Sequence, residues 1–348
     1  MLSSKIIEWY HQNKRNLPWR ETSNPYFIWL SEVILQQTRV DQGLEYYLRF
    51  IETYPTVFDL AGAHQEEVLR NWQGLGYYSR ARNLHAAAQY IANELNGNFP
   101  STFAELKKMK GVGDYTAAAI SSIAFGEKKA VVDGNVYRVL SRLFEIDTPI
   151  NSTDGIKKFS NLADSLINNK RPGDYNQAMM ELGATICKPK KPLCPECPLA
   201  AECQSLKNQT QQNYPVKINK TKVRDRYFNY LVIENESKIF FQKRPQKGIW
   251  AGLFEFLLIE TDKVVEDFQP LVKNLPDWIK PKEIAIGIPS SKIHLLSHQR
   301  INARFWPIDL AKVDDQTRIN FFTEDEIEQL PKHQLIVNYL KDNPILKT

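Results

Sequence analysis

The residues of this chain best equipped for chemistry are a set of sulfur ligands, a pair of glycines among lysines, and two carboxylates in apolar surroundings. All four cysteines fall in one short stretch, as Cys187, Cys194, Cys197 and Cys203 in a C-x6-C-x2-C-x5-C array. Thiolates converging from one compact loop make a tetrahedral ligand set, and both zinc and a 4Fe-4S cluster satisfy that count. A two-knuckle zinc site would use two close CxxC pairs, and here only Cys194 and Cys197 are that close. Lys188, Lys190 and Lys191 lie between the first two ligands, either as solvated loop lysines or as a basic edge facing phosphate.

The glycines lie in Leu106 to Gly126, LKKMKGVGDYTAAAISSIAFG, which reads as a short helix, a turn at Gly111, Val112 and Gly113, and an apolar helix from about Asp114. Backbone N–H groups at such a turn point outward at a helix start, where a phosphate is favoured. The plainer alternative is a helix C-cap and a turn. Lys107, Lys108 and Lys110 beside it favour the phosphate.

Glu32 sits in a helix whose start is signalled by Asn24 and Pro25, with Ile28, Trp29 and Leu35 as one-turn neighbours. A carboxyl among apolar side chains has a raised pKa and can act as a general acid near neutrality. Placed instead at the margin of an amphipathic face, it would be ordinary. Asp133 ends the apolar run Ala130 to Val132 and precedes Gly134 and a helix from Asn135, the position of an N-cap. Ser297 and His298, in LLSHQR, read alone as a turn between strands.

The elements that must position these groups fall into two textures. From residue 1 to 207 the periodicity is helical, as in Pro25 to Gln37, Glu66 to Trp72, Tyr77 to Leu95, Tyr115 to Phe125 and Asp174 to Ile186. Residues 208–224 are nearly free of apolar side chains and carry Lys217, Lys220, Lys222 and Arg224 without an acid, the composition of a linker able to lie along phosphates. Residues 225–348 read as an α+β domain, with strands at Tyr227 to Ile233, Lys238 to Lys243, Leu253 to Ile259 and Ile301 to Ile308 and helices near Thr323 to Leu330 and His333 to Leu340.

Length, at 348 residues, allows two domains, and a net charge of +5 is compatible with a polyanion without requiring one. No stretch is long and apolar enough to span a bilayer. Met1 to Arg15 reads as an amphipathic helix without the apolar core of an export signal. A cytoplasmic, reducing setting is therefore expected, nucleoid-associated if the source is bacterial, and it argues against disulfides.

In order and spacing, GVGDYTA, then VVDGNVYRVLSR at Val131 to Arg142, then the four-cysteine loop resemble the helix-hairpin-helix glycosylases of the endonuclease III superfamily. WLSEVILQQTRV at Trp29 to Val40 and NWQGLGYYSRARNL at Asn71 to Leu84 are similar to the MutY family of adenine DNA glycosylases. RPQKGIWAGLFEF at Arg244 to Phe256 resembles the segment by which the second domain of that family copies the Nudix fold. The resemblance implies an all-α helix-hairpin-helix domain with a 4Fe-4S cluster loop, followed by an α+β Nudix-like domain that recognises 8-oxoguanine. The partner implied is double-stranded DNA carrying adenine opposite 8-oxoguanine or guanine, bound by a monomer.

Carried over position by position, the resemblance makes Glu32 the catalytic acid and Asp133 the carboxylate facing the sugar, with Tyr115 and Asn135 orienting them. Tyr115 stands where bifunctional relatives have the Schiff-base lysine, which implies a monofunctional enzyme. Gln37 and Tyr77 would wedge into the duplex with Leu35 nearby, and Arg20 would line the adenine pocket. Ser297 and His298 match the element placed at 8-oxoguanine, with Leu296 where phenylalanine is usual. The stretch after Thr261, DKVVEDFQPLVKNL, lacks the acidic magnesium-binding pattern of Nudix hydrolases, so recognition without hydrolysis is expected. The competing readings are an endonuclease III-like lyase, opposed by Tyr115, a noncatalytic sensor of oxidised DNA, opposed by the two carboxylates, and a Nudix hydrolase with a helical appendage.

Overall fold

Apolar residues at Val136, Val139, Leu140 and Leu143 repeat at one-turn spacing, and the helix that carries them lies in a buried core of the first of two units. The computed structural model describes residues 2–218, 223–310 and 320–343. A helical unit comprises Met1–Gly62 with Asn83–Asn219, and a sheet unit comprises Ala63–Arg82 with Lys220–Thr348.

The chain runs through α1 (Leu2–Asn13), α2 (Pro25–Ile34), α3 (Val40–Thr53), α4 (Val57–Gly62), α5 (Gln65–Asn71), α6 (Ser79–Glu94), α7 (Phe103–Leu106), α8 (Asp114–Ala124), α9 (Gly134–Phe144), α10 (Thr153–Leu166) and α11 (Pro172–Thr185). The α9 stripe buries against Ile6, Ile7 and Tyr10 of α1, Phe159 of α10, and Tyr175, Met179 and Leu182 of α11. Helix α2 starts where Asn24 accepts from the Tyr26 N–H at 2.9 Å with Pro25 in its first turn. It is buried on every side from Ile28 to Ile34. Helix α8 presents small buried side chains, Ala117, Ala118, Ala119, Ser121 and Ser122, and so packs closely among α2, α7 and α11. Gly183 of α11 meets the start of α9, where an added Cβ would lie 2.5 Å from the Cβ of Asn135.

In the sheet unit a seven-stranded sheet has the order β6 (Ile284–Ile286), β8 (Gln299–Leu310), β1 (Arg224–Asn235), β2 (Lys238–Phe240) and β9 (Phe321–Phe322), with β5 (Leu257–Thr261) paired to β1 and β7 (Ser290–Leu295) to β8. Its centre is the parallel pair β1 and β8, in the register Tyr230 to Phe305. Strand alternation sends Phe228, Tyr230 and Val232 to one core with Ile336 and Tyr339, and Leu231 and Ile233 to another with Trp306 and Leu271. The other strands are β3 (Gln242–Lys243) and β4 (Phe254–Glu255). Helices Glu324–Gln329 and Gln334–Asp342 follow.

The two-unit, helical-then-sheet architecture agrees with the sequence reading, and several boundaries differ. The helix expected to reach Gln37 ends at Ile34, because Gln37 turns the chain with φ 56. The strand read over Lys238 to Lys243 is divided into β2 and β3, which belong to different sheets. After Thr261 the only helical piece before β6 is a 3-10 segment, Gln269–Asn274, among the described residues. The stretch read as a linker from 208 stays with the helical unit through Ile218. Val216 accepts from Ile150 N at 3.0 Å, and Asn151 accepts from Ile218 N at 2.9 Å, contacts made by backbone that composition does not reveal. Lys220 and Lys222 lie outside the described residues.

Candidate active site

The helical unit encloses a cavity of about 200 Å³ whose wall includes Glu32 from α2, Tyr115 from α8, and Asp133 and Asn135 from the start of α9. Arg20 and Leu35 line it as well. Glu32 is 7% exposed. Burial raises its carboxyl from 4.5 to about 7; the Tyr115 hydroxyl and Arg20 pull it down, and the charge of Asp133 pushes it up. It is therefore protonated in a large fraction of molecules at neutral pH.

Asp133 is held in a different way. It is the N-cap of α9, with Oδ1 accepting from Asn135 N at 2.9 Å and Val136 N at 2.8 Å. Its Oδ2 accepts from the Asn135 side-chain amide at 2.7 Å. Burial raises its pKa above the ordinary carboxylate value, and those three donors and Arg138 offset the rise only in part. Carboxylate oxygens that only accept, at a helix N-terminus, suit the ionised form. The cavity thus pairs an acid that keeps its proton with a carboxylate arranged to lose it, the division of labour used in acid-assisted cleavage of glycosidic bonds.

Three polar residues of the wall have further partners. Tyr115 donates to Met180 Sδ at 3.4 Å, and burial keeps its phenol protonated. Arg20 donates to Glu181 Oε2 at 2.6 Å and to the Arg15 carbonyl at 3.0 Å. Glu181 is fully buried; burial alone would raise its pKa, but hydrogen bonds from Arg15 and Arg20 hold it at about 2. Sequence reasoning missed Glu181 and Arg15. The available signal was an acid inside the apolar run Ala178 to Leu182.

A polar chain leads from Asp133 to the cysteines. Asn135 Oδ1 accepts from Arg138 Nη2 at 2.8 Å, and Arg138 Nε donates to the Cys187 carbonyl at 2.7 Å. One helical turn on, Arg142 donates to Cys187 Sγ at 3.4 Å, to the Lys188 carbonyl at 2.7 Å and to the Pro189 carbonyl at 3.0 Å. All four cysteines are free and half-buried, and Cys187, Cys197 and Cys203 pack on the core of the unit. Burial, offset in part by a backbone hydrogen bond and reinforced by the other three thiols, raises Cys197 to about 11. Four thiols gathered on one short loop are a donor set suited to a soft metal. Among the described residues no three His, Cys, Asp or Glu close on a single ion position.

The glycine turn stands apart from the cavity. Gly111 has φ 80, and a Cβ there would lie 2.6 Å from Asn83 Cβ, so only glycine fits. Val112 is buried, Gly113 is the N-cap of α8, and Lys107 pairs with Asp114 at 2.5 Å. Gln37 is exposed at its turn.

Tyr77, Ser297 and His298 meet in the sheet unit, around a cavity of about 620 Å³ that Trp250 and Arg226 also line. Tyr77 is 47% exposed at φ 46, and its hydroxyl is hydrogen-bonded to Ser297 Oγ. Ser297 and His298 form the turn between β7 and β8, closed by Leu296 N donating to the Gln299 carbonyl at 2.8 Å.

Residues 30–162 match the HhH-GPD superfamily of base excision DNA repair proteins, and residues 229–342 match the NUDIX domain. The chain is 35% identical to the adenine DNA glycosylase of Mus musculus, over 90% of this chain and 72% of that one. It is 33% identical to the adenine DNA glycosylase of Buchnera aphidicola subsp. Acyrthosiphon pisum, over 86% of this chain and 83% of that one. Among solved structures, a thermostable thymine-DNA glycosylase superposes with a TM-score of 0.55 at 30% identity, covering 60% of this chain and 95% of that one. A non-covalent endonuclease III–DNA complex superposes with a TM-score of 0.52 at 25% identity, with the same coverage of 60% and 95%.

Proposed function

Since the chain belongs to the adenine DNA glycosylases, within the HhH-GPD superfamily of base excision DNA repair proteins, we propose that it hydrolyses the N-glycosidic bond of an adenine mispaired with 8-oxoguanine or guanine and leaves the strand uncut. The observation that carries this reading is the shared cavity: Glu32 near pKa 7 and Asp133 accepting three hydrogen bonds line the same wall.

In the proposed reaction Glu32 gives its proton to N7 of the adenine as the bond from C1′ to N9 breaks and the bonding pair leaves with the base. Asp133, ionised, offsets the positive charge that develops on the sugar. Water then adds to C1′, losing a proton to Glu32, so the enzyme ends in its starting state. Asn135 holds the Asp133 carboxylate, and Tyr115 tempers the proton affinity that burial gives Glu32. A phenol at residue 115 forms no imine with the sugar, which supports a monofunctional enzyme.

DNA binding is supported by the endonuclease III–DNA complex among the similar structures. In this reading Gly111 to Gly113 seat a backbone phosphate at the start of α8. Gln37 and Tyr77, exposed at tight turns, fill the space left by the extruded nucleotide, at a cost of a few kcal/mol of unstacking. Leu35 and Arg20 wall the base pocket, and Tyr77, Ser297 and His298 read 8-oxoguanine. Cys187, Cys194, Cys197 and Cys203 would hold a 4Fe-4S cluster, whose contribution there would be to stiffen the loop.

The test is single-turnover base release from three duplexes, carrying adenine opposite 8-oxoguanine, adenine opposite guanine, and thymine opposite adenine. Release of adenine from the first two, fastest from the first, with strand scission only after added alkali, is expected. Scission without alkali, or a borohydride-trapped adduct, would assign the lyase activity instead.

A further inference from the structure

The cavity of the sheet unit has an aromatic wall that the proposed reading of 8-oxoguanine does not use. Trp250 lines that cavity with Tyr77, Ser297 and His298. It holds φ 57, a left-handed conformation that a bulky side chain adopts only when its surroundings impose it. Those surroundings are visible: the indole lies flat on His333, with centroids 3.7 Å apart and planes 9° from parallel.

His333 is itself immobilised. It is fully buried, and its Nε2 is 3.2 Å from Glu255 Oε2. Glu255, 2% exposed, also accepts from the Tyr230 hydroxyl at 2.9 Å and from Arg244 Nη1 at 2.5 Å. Arg244 closes the loop that carries the tryptophan, donating from Nε to the Ile249 carbonyl at 3.1 Å and from its backbone N to the Leu253 carbonyl at 2.8 Å. Burial holds His333 neutral at physiological pH against the pull of Glu255, and His333 Nδ1 is buried without a hydrogen-bond partner. A strained loop, a buried ionic network and an unpaired ring nitrogen are all features that packing alone disfavours. Together they fix one thing at the surface, the pose of Trp250.

Resting on the recognition role proposed above, we infer that Trp250 is a further base-contacting residue, whose indole packs against the purine ring of the base opposite the target adenine. Glu255 and His333 are its positioning residues. A rigid indole loses little conformational freedom on contact and offers a broad face for a heteroaromatic base. Tyr77 and Ser297, joined by their hydrogen bond, supply polar contacts at the same cavity.

The experiment compares apparent second-order excision rates, enzyme in excess, on duplexes with adenine opposite 8-oxoguanine and adenine opposite guanine, for the natural chain, Trp250→Phe and Trp250→Leu. Trp250→Leu should lower the rate on both duplexes about tenfold, in line with the loss of one base–aromatic contact to a purine face that 8-oxoguanine and guanine share. Trp250→Phe, which keeps an aromatic face, should retain most of both rates. Unchanged rates in Trp250→Leu, or a loss in Trp250→Phe as large as in Trp250→Leu, would overturn the inference and leave the proposed function standing. Absence of any preference for 8-oxoguanine in the natural chain would overturn the recognition reading itself, and Trp250's role with it.

Discussion

The side-chain amide of Asn135 donates to Asp133 Oδ2 at 2.7 Å, while Asp133 Oδ1 takes the two backbone N–H groups that open α9. One carboxylate is thus both the cap of a helix and a wall of the candidate active-site cavity. The two roles separate in Asp133→Asn, because asparagine caps a helix about as well as aspartate but carries no charge. The expected outcome is a melting temperature within a few degrees of the natural chain and single-turnover excision slowed by about a hundredfold or more, the scale of losing one preorganised electrostatic contact. A variant that melts normally and excises normally would remove Asp133 from the reaction.

Tyr115 lowers the proton affinity of Glu32. Tyr115→Phe removes the hydroxyl and keeps the ring, so the Glu32 carboxyl should hold its proton to higher pH. In a pH–rate profile the falling alkaline limb is expected to move upward, with little change in the rate at acid pH. A profile that does not move would place the phenol out of contact with the acid.

Burial of Glu32 also links stability to pH. Its folded-state pKa of about 7 lies above the ordinary 4.5, so between those values the folded chain keeps a proton that the unfolded chain has released. Its contribution is therefore fully present below about pH 4.5 and is lost as pH rises through about 7. Glu32→Gln escapes this loss, and should melt above the natural chain at pH 8 with the difference closing by pH 5. Thermal denaturation at the two pH values measures it.

Arg142 is 3% exposed and binds the start of the cysteine loop through Cys187 Sγ and the carbonyls of Lys188 and Pro189, with Nε on the Gln211 carbonyl at 2.8 Å. Arg142→Met keeps the aliphatic stem and removes the donor from those acceptors, at up to about 1 to 3 kcal/mol for each one that water cannot reach. The natural chain is expected to purify brown with about four iron atoms per chain, and the variant with less iron and a lower melting temperature. Bound zinc in a colourless natural protein would contradict the cluster assignment.

What the sequence made legible is what local chemistry dictates. Glu32 stood out because its one-turn neighbours Ile28, Trp29 and Leu35 are apolar, and Asp133 because the residues around it spell an N-cap; the folded chain buries the first and uses the second as a helix cap. Glu181 did not stand out, since its role depends on Arg15 and Arg20, which approach from a segment far away in sequence. Strand β7 was hidden for another reason: its alternation is reversed, with Lys292 and His294 half-buried while Ile293 and Leu295 are each 68% exposed. The two-residue β9 is too short to carry a period at all. Tyr77 was readable as a residue of interest, but its position beside Ser297 arises only because Ala63–Arg82 clusters with the sheet unit.

The central claim is that a protonated Glu32 breaks the bond to adenine, and the pH dependence of single-turnover excision tests it most directly. On a duplex with adenine opposite 8-oxoguanine, the natural chain should lose rate as pH rises through about 7, where Glu32 gives up its proton. Glu32→Gln should bind the same duplex and release no adenine at any pH. Excision that persists in Glu32→Gln with the natural pH profile would contradict the account.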